Sequence, residues 1–250
     1  GYDSFRSKQP DIINSALEER DVLGILPTGG GKSITFQVPT LMRDGMALVV
    51  TPLIALMKDQ VQNLDRRGIK ALAIYSGMTH REIDITLDNA VFGDYKFLYV
   101  SPERLHTELF KARVDKMNIN FLVVDEAHCI SQWGYDFRPD YLEIAEIRNL
   151  IGKEVPVAAL TATATPDVAL DIMKQLQFRQ DNLIKGSFER PNLAYVVRKC
   201  ENKMGQMLRI CSGVQGSGVV YVSKRKNAED LAAFLKAHGI SAEAYHAGMS

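Results

Sequence analysis

Nowhere in the 250 residues does an apolar run approach the roughly 20 residues that a membrane-spanning helix requires, so no membrane partner is expected. The polar start, Gly1-Tyr2-Asp3-Ser4, leads into no signal-peptide core, and glycine in place of methionine is expected from a removed tag or an excised segment. Cysteine is scarce. Cys129, Cys200 and Cys211 lie far apart and fit neither a disulfide framework nor a C-x-x-C zinc pattern, so reduced intracellular thiols and no zinc site are expected. Surplus charge is absent too, with 30 basic and 30 acidic residues. That balance weighs against a chain that holds polyanions by bulk charge, yet a basic groove can sit on a neutral whole. No low-complexity tract or short repeat interrupts the chain. Apolar residues make up 46%, as in a soluble globular protein.

Short apolar runs recur at Val22–Leu26, Met46–Val50, Ala71–Ile74, Phe97–Val100, Phe121–Val124 and Val157–Leu160. Between them lie helix-patterned stretches such as Leu53–Leu64, Arg81–Val91 and Thr165–Leu176. Continuous apolar strands alternating with helices predict a parallel sheet covered on both faces, a doubly wound α/β domain. The pattern breaks at Gly186–Asn192, read as a hinge, and restarts with strands at Ala194–Val197, Gly218–Val222 and Ala242–Tyr245 and helices at Met204–Cys211 and Ala228–Ala237. This predicts one complete lobe over residues 1–188, then a hinge and the incomplete opening of a second lobe over residues 189–250.

Two motifs carry chemistry. Pro27-Thr28-Gly29-Gly30-Gly31-Lys32-Ser33 stands between the first strand and a helix starting near Lys32. Glycines let successive backbone N–H groups converge on phosphate oxygens, and the helix N-terminus adds its positive dipole end. Lys32 would neutralise β/γ-phosphate charge, and the Ser33 hydroxyl would ligate Mg²⁺. The strict phosphate-loop pattern has Gly where this chain has Leu26, which separates it from the kinase and GTPase form. The fifth apolar run leads straight into Asp125-Glu126-Ala127-His128, placing acids at the carboxyl edge of the sheet, where ligands of α/β folds bind. Asp125 is the candidate Mg²⁺ holder and Glu126 the candidate base for an attacking water. ATP and Mg²⁺ are the cofactors this pair of motifs implies.

The phosphate loop with Asp125–His128 resembles superfamily-two helicases. Asp125 to Pro139, reading D-E-A-H-C-I-S-Q-W-G-Y-D-F-R-P, resembles the acidic motif and aromatic-rich loop of RecQ-family DNA helicases. Phe5–Gln9 is similar to the family's adenine-recognition motif, Thr51–Gln60 to its second motif, Leu160–Ala164 to its coupling motif and Ser187–Asn192 to its inter-lobe hinge. Val219–Arg225 and Ala244–Gly248 are similar to the opening motifs of its second lobe. The resemblance implies two RecA-like lobes.

It also implies roles. Gln9 would bond the adenine edge with Arg6 packing nearby, although Gln9 also reads as a cap of the helix near Pro10. Thr28, Gly29, Gly30 and Gly31 would cradle phosphates. His128 would join Lys32, Asp125 and Glu126 in catalysis. Trp133 and Phe137 would sense single-stranded DNA by base stacking, which suits a motor that reads no sequence, Arg138 would relay the signal, and Gln132 would join them in DNA binding or coupling. Thr161 and Thr163 would couple to His128, or else cap the helix after Pro166. Lys58 and Ser101–Arg104 are candidate contacts to the DNA backbone, and so are Lys224 and Arg225; Lys58 reads equally as a solvated helix position. Tyr135 stands where the family often has histidine.

The activity implied is ATP-dependent 3′ to 5′ unwinding of DNA, single-stranded and duplex, inside the cell, in the bacterial nucleoid region or the nucleus. The family's arginine finger and zinc-binding segments find no match, so the chain alone is expected to bind ATP with weak or no turnover. Two rivals stand beside this reading, an RNA-dependent DEAD/DEAH ATPase and a non-catalytic binding module. Oligomeric state is not readable.

Overall fold

The structure, a computed structural model, describes residues 4–6, 8–189 and 192–249. Ser7 of the expected adenine motif, Arg190 and Pro191 of the expected hinge, and the two chain ends lie outside the described residues. The chain divides into two units, Gly1–Glu189 and Arg190–Ser250.

In the first unit the apolar runs become β1 (Val22–Ile25), β2 (Met46–Val50), β3 (Ala71–Ile74), β4 (Phe97–Val100), β5 (Ile119–Asp125) and β6 (Val157–Thr161). With β7 (Leu183–Lys185) they form one sheet in the order β3-β4-β2-β5-β6-β1-β7, every pairing parallel. Strand alternation sends Leu23, Leu48, Leu98 and Leu122 into one core and Val22, Ala47, Phe97 and Phe121 into another. The first core is closed by α4 (His80–Phe92), α5 (Glu108–Val114), α6 (Glu143–Ile151) and α7 (Pro166–Gln175) through Leu87, Phe110, Ile147 and Ile172. The second is closed by α1 (Gln9–Leu17), α2 (Lys32–Leu41) and α3 (Ile54–Asp65) through Ile12, Phe36 and Met57. Each such side chain contributes roughly 1.5–3 kcal/mol on burial. Two covered faces make this a doubly wound, RecA-like sheet.

Local chemistry sets the boundaries. A capping box starts α4: the Thr79 N–H donates to Glu82 Oε2 at 2.7 Å, and the Glu82 N–H donates to Thr79 Oγ1 at 3.3 Å. α5, α6 and β7 were not anticipated from the sequence. β7 is three residues long and mostly exposed, with no apolar run to announce it.

The second unit holds α8 (Lys203–Gly213) and α9 (Arg225–Ala237), where helices were expected. The expected strands Ala194–Val197, Gly218–Val222 and Ala242–Tyr245 are not strands here: none has a sheet partner among the described residues. Tyr195, Val197, Tyr221 and Tyr245 are exposed. An apolar run becomes a strand only where a neighbour accepts its hydrogen bonds, and these find none.

One buried ionic cluster ties the first unit together. Asp21, just before β1, takes Arg148 Nη2 of α6 at 2.7 Å, the Val157 N–H of β6 at 3.0 Å and the Arg179 N–H at 2.8 Å. Burial opposes the charge of Asp21, but the Arg179 N–H and the Arg148 and Arg179 guanidinium groups outweigh it and hold the carboxyl below its usual range. Asp21→Ala leaves Arg148 buried without its partner, and urea unfolding should show a loss of about 3–5 kcal/mol. Because the folded state depresses this carboxyl, the wild-type contribution is intact at neutral pH and is lost as pH falls through the folded value. The variant should therefore show a weaker decline in stability on acidification.

Candidate active site

β1 ends at Ile25, and its continuation, Leu26 to Gly31, turns into α2 at Lys32. Gly29 and Gly31 have φ of 75° and 74°, the left-handed region that a side chain disfavours. The turn is held from the N-terminal segment. Gln9 Nε2 donates to the carbonyls of Gly30 (3.0 Å) and Gly31 (3.1 Å), and Gln9 Oε1 accepts from the Arg6 N–H at 2.8 Å. The Arg6 guanidinium donates to Gly29 O at 3.0 Å. Both ends of the Gln9 amide thus engage this chain's own backbone, and Gln9 is buried. The expected adenine-facing pair braces the loop glycines, and Gln9 does not cap its helix, whose N-cap residue, Lys8, has no side-chain cap bond. Thr28 lies in this loop, and Ser33, half-buried, follows Lys32 in the first turn of α2.

β5 delivers Asp125 to the same edge. Asp125 Oδ1 accepts from the Glu126 N–H at 3.0 Å, Oδ2 accepts from Thr51 Oγ1 at 3.4 Å, and the Tyr141 hydroxyl donates to the Asp125 carbonyl at 2.9 Å. Glu126 adopts φ 48°, a left-handed conformation costing about 1–3 kcal/mol for a residue with a side chain. The strain aims its carboxylate between two partners, Lys32 Nζ at 3.6 Å and His128 Nδ1 at 3.4 Å. Burial, with the Glu126 charge beside it, raises the Asp125 carboxyl above its usual range, while Lys32 opposes the shift. A half-buried carboxylate of this kind, near a lysine at a helix N-terminus, suits a phosphate-bound Mg²⁺.

From Glu126 the chain enters the 3-10 turn Ala127–Ile130 and then an irregular loop to Pro139. His128 Nδ1 lies 2.9 Å from Thr161 Oγ1. That hydroxyl donates to the Thr163 carbonyl at 3.1 Å, so toward His128 it accepts, and Nδ1 carries the hydrogen. Nε2 therefore keeps its lone pair. Thr165 caps α7, accepting from the Val168 N–H at 3.4 Å, so Thr161 and Thr163 are free of that duty. Tyr135 stacks on His128 with ring centroids 5.4 Å apart, and its hydroxyl lies 3.5 Å from Thr163 Oγ1. Trp133 and Tyr135 are 79% and 82% exposed, Gln132 is exposed and Phe137 half-buried. Arg138 pairs with Asp136 at 3.2 Å. Lys58 sits 4.5 Å above the Tyr75 ring, a cation–π contact that a purely solvated lysine lacks. Lys224 and Arg225 belong to the second unit.

Thr51 and Asp136 lie within motifs read from the sequence but carry no role there, and Tyr141 is not singled out. Tyr141 gives no local signal, because it meets Asp125 only after the chain folds back. Burial keeps His128 neutral and lowers its pKa, while the Glu126 carboxylate pulls the other way. An NMR titration should find His128 protonating below the ordinary value near about 6.5, as the Nδ1–H tautomer, with Glu126→Gln lowering it further.

Residues 6–172 match the model of the DEAD/DEAH box helicase family. The chain is 41% identical over 250 residues to the ATP-dependent DNA helicase RecQ of Haemophilus influenzae, covering all of this chain and 40% of that protein. It is 42% identical over 254 residues to the probable ATP-dependent DNA helicase RecS of Bacillus subtilis, covering all of this chain and 51% of that one. It thus spans about two fifths to one half of the length of these curated relatives. Among solved structures, the DUF1998 helicase MrfA superposes with a TM-score of 0.70 at 14% identity, covering 96% of this chain and 39% of the other, a likeness of fold. With the phosphate loop and acidic motif meeting at one sheet edge, and with the family match covering both, this chain belongs to the DEAD/DEAH box helicase family.

Proposed function

We propose that this chain is the ATP-binding and ATP-hydrolysing part of a RecQ-type DNA helicase motor that moves 3′ to 5′ on single-stranded DNA. The observation that carries the reading is the meeting of Lys32 and Glu126, 3.6 Å apart, beside Asp125. Thr28, Gly29 and Gly31 would present backbone N–H groups to the phosphates, whereas the Gly30 N–H is spent on the Pro27 carbonyl at 2.8 Å, and Lys32 neutralises β/γ-phosphate charge. Ser33 and Asp125 would hold Mg²⁺, which would supply charge neutralisation to the triphosphate. Glu126 orients the attacking water and accepts its proton. His128, neutral and fixed by Thr161, senses the state of Glu126 and passes it to Thr163 and Tyr135. Arg6 and Gln9 steady the loop from the adenine side.

Trp133, Tyr135 and Phe137 stack on bases, each worth roughly 1–3 kcal/mol, with Gln132 and Arg138 as polar partners and Lys58 as a backbone contact. The names of the relatives support DNA as the partner; single-stranded and duplex DNA as its forms, and a location inside the cell, belong to the same proposal.

ATP hydrolysis by the intact protein, with and without single-stranded DNA or RNA, tests this. DNA should stimulate more than RNA. Glu126→Gln should cut turnover by about 10²–10⁴-fold while nucleotide still binds, and Trp133→Ala should remove most of the DNA stimulation while leaving the basal rate. Equal stimulation by RNA would favour an RNA-dependent ATPase, and binding without turnover in the wild type would favour a non-catalytic module. Unwinding of duplexes with a 3′ tail and not a 5′ tail checks polarity.

A further inference from the structure

The 3-10 turn after Glu126 and the loop that follows bring three metal-ligating side chains together. His128, Cys129 and Asp136 place one ligand atom each within 4.8 Å of the others. Cys129 Sγ lies 3.8 Å from His128 Nε2 and 3.7 Å from Asp136 Oδ2. In a tetrahedral zinc site, bonds of about 2.3 Å to sulfur and about 2.0–2.2 Å to nitrogen and oxygen put neighbouring ligand atoms about 3.5 Å apart. The two separations from Cys129 Sγ are already close to that spacing, and the third, between His128 and Asp136, lies within 4.8 Å. The imidazole is also in the required state: Nδ1–H is spent on Thr161, so the Nε2 lone pair faces Cys129 and Asp136. Metal-binding histidines are commonly oriented in this way, by a hydrogen bond from the other ring nitrogen.

We propose that His128 Nε2, Cys129 Sγ and Asp136 Oδ2 form a binding site for a thiophilic divalent cation of the Zn²⁺ class, separate from the Mg²⁺ position at Asp125. One thiolate, one imidazole and one carboxylate leave a fourth position for water, and this donor set selects Zn²⁺ over Mg²⁺. Binding takes the thiol proton from Cys129 and releases it to solvent. It also draws Asp136 away from Arg138, its partner at 3.2 Å. The sequence pattern that announces zinc is absent, because the ligands stand at positions i, i+1 and i+8 and converge only when the loop folds back. The Arg138 N–H donates to the Cys129 carbonyl at 2.8 Å and fixes that return. Cys129 and His128 are buried, while Asp136 is half-buried, so an ion would enter past Asp136. A bound ion would clamp the aromatic-rich loop to the acidic motif and so inhibit nucleic-acid-stimulated turnover. That consequence rests on the function proposed above; the binding itself does not.

The test is a Co²⁺ titration of the 250-residue chain with Cys200 and Cys211 changed to serine, read in the thiolate-to-cobalt charge-transfer band. One equivalent of Co²⁺ should produce the band, together with the visible absorption of a four-coordinate ion, and Zn²⁺ should displace it. Cys129→Ser should abolish the charge-transfer band. Asp136→Asn, at an accessible loop position, should weaken Co²⁺ binding by more than about tenfold, since even groups that only orient ligands are worth that much. Circular dichroism of both variants should match the parent. No charge-transfer band in the folded parent would overturn the proposal, as would a band that survives Cys129→Ser or an affinity indifferent to Asp136→Asn. Zn²⁺ that binds at this site without lowering DNA-stimulated ATP hydrolysis would overturn the inhibitory consequence.

Discussion

Strands in a parallel sheet must each return across a face of the sheet before the next can pair, so all of them end at the same edge. That constraint organises the first unit. The turn after β1, Thr51 after β2, Asp125 at the end of β5 and Thr161 at the end of β6 come from distant parts of the sequence. Because β5, β6 and β1 are neighbours in the sheet, these ends meet. Lys32 reaches Glu126, and Thr161 reaches His128, without any local sequence relation between the partners. The two cores and the Asp21 cluster keep the strand ends in register.

Within that edge the backbone at Glu126 sets the geometry. Its left-handed turn ends the strand after Asp125 and sets the direction of the Glu126 carboxylate. Asp125 accepts from the Glu126 N–H and the Thr51 hydroxyl, while Glu126 faces Lys32 and His128. The same turn starts the 3-10 segment that carries His128 and Cys129 to the root of the aromatic-rich loop. Nucleotide-facing and loop-facing chemistry are thereby a few residues apart, joined by one imidazole between Glu126, Thr161 and Tyr135. A protein of zero net charge needs such local arrangements, since bulk attraction to a polyanion is not available to it.

The strands of the first unit were legible because buried parallel strands are continuous apolar runs, and the phosphate loop and acidic motif were legible because their chemistry is local. Other features were not. β7 has three residues and no buried run, and α5 and α6 lack the long periodicity of α4. Gln9 showed its amide chemistry in the sequence, but only folding reveals that both ends of it are engaged by the loop and Arg6. Tyr135, noticed as a departure from the family pattern, stacks on His128 and reaches Thr163, a replacement the one-dimensional pattern could not evaluate. In the second unit the apolar pattern alone over-read strands, because pairing is a property of neighbours and these segments have none among the described residues.

The central claim is that the edge formed by Lys32 and Asp125 is a Mg²⁺-nucleotide site. Titration of a fluorescent ATP analogue into the 250-residue chain, with Mg²⁺ and with chelator, tests it most directly when run beside Lys32→Ala and Asp125→Asn. The account predicts saturable binding that weakens by about tenfold or more in Lys32→Ala, the loss expected when a charged hydrogen-bonding partner is removed. It also predicts that Asp125→Asn abolishes the difference between Mg²⁺ and chelator. A folded chain that binds no nucleotide, or binds it equally well in both variants, would contradict the account.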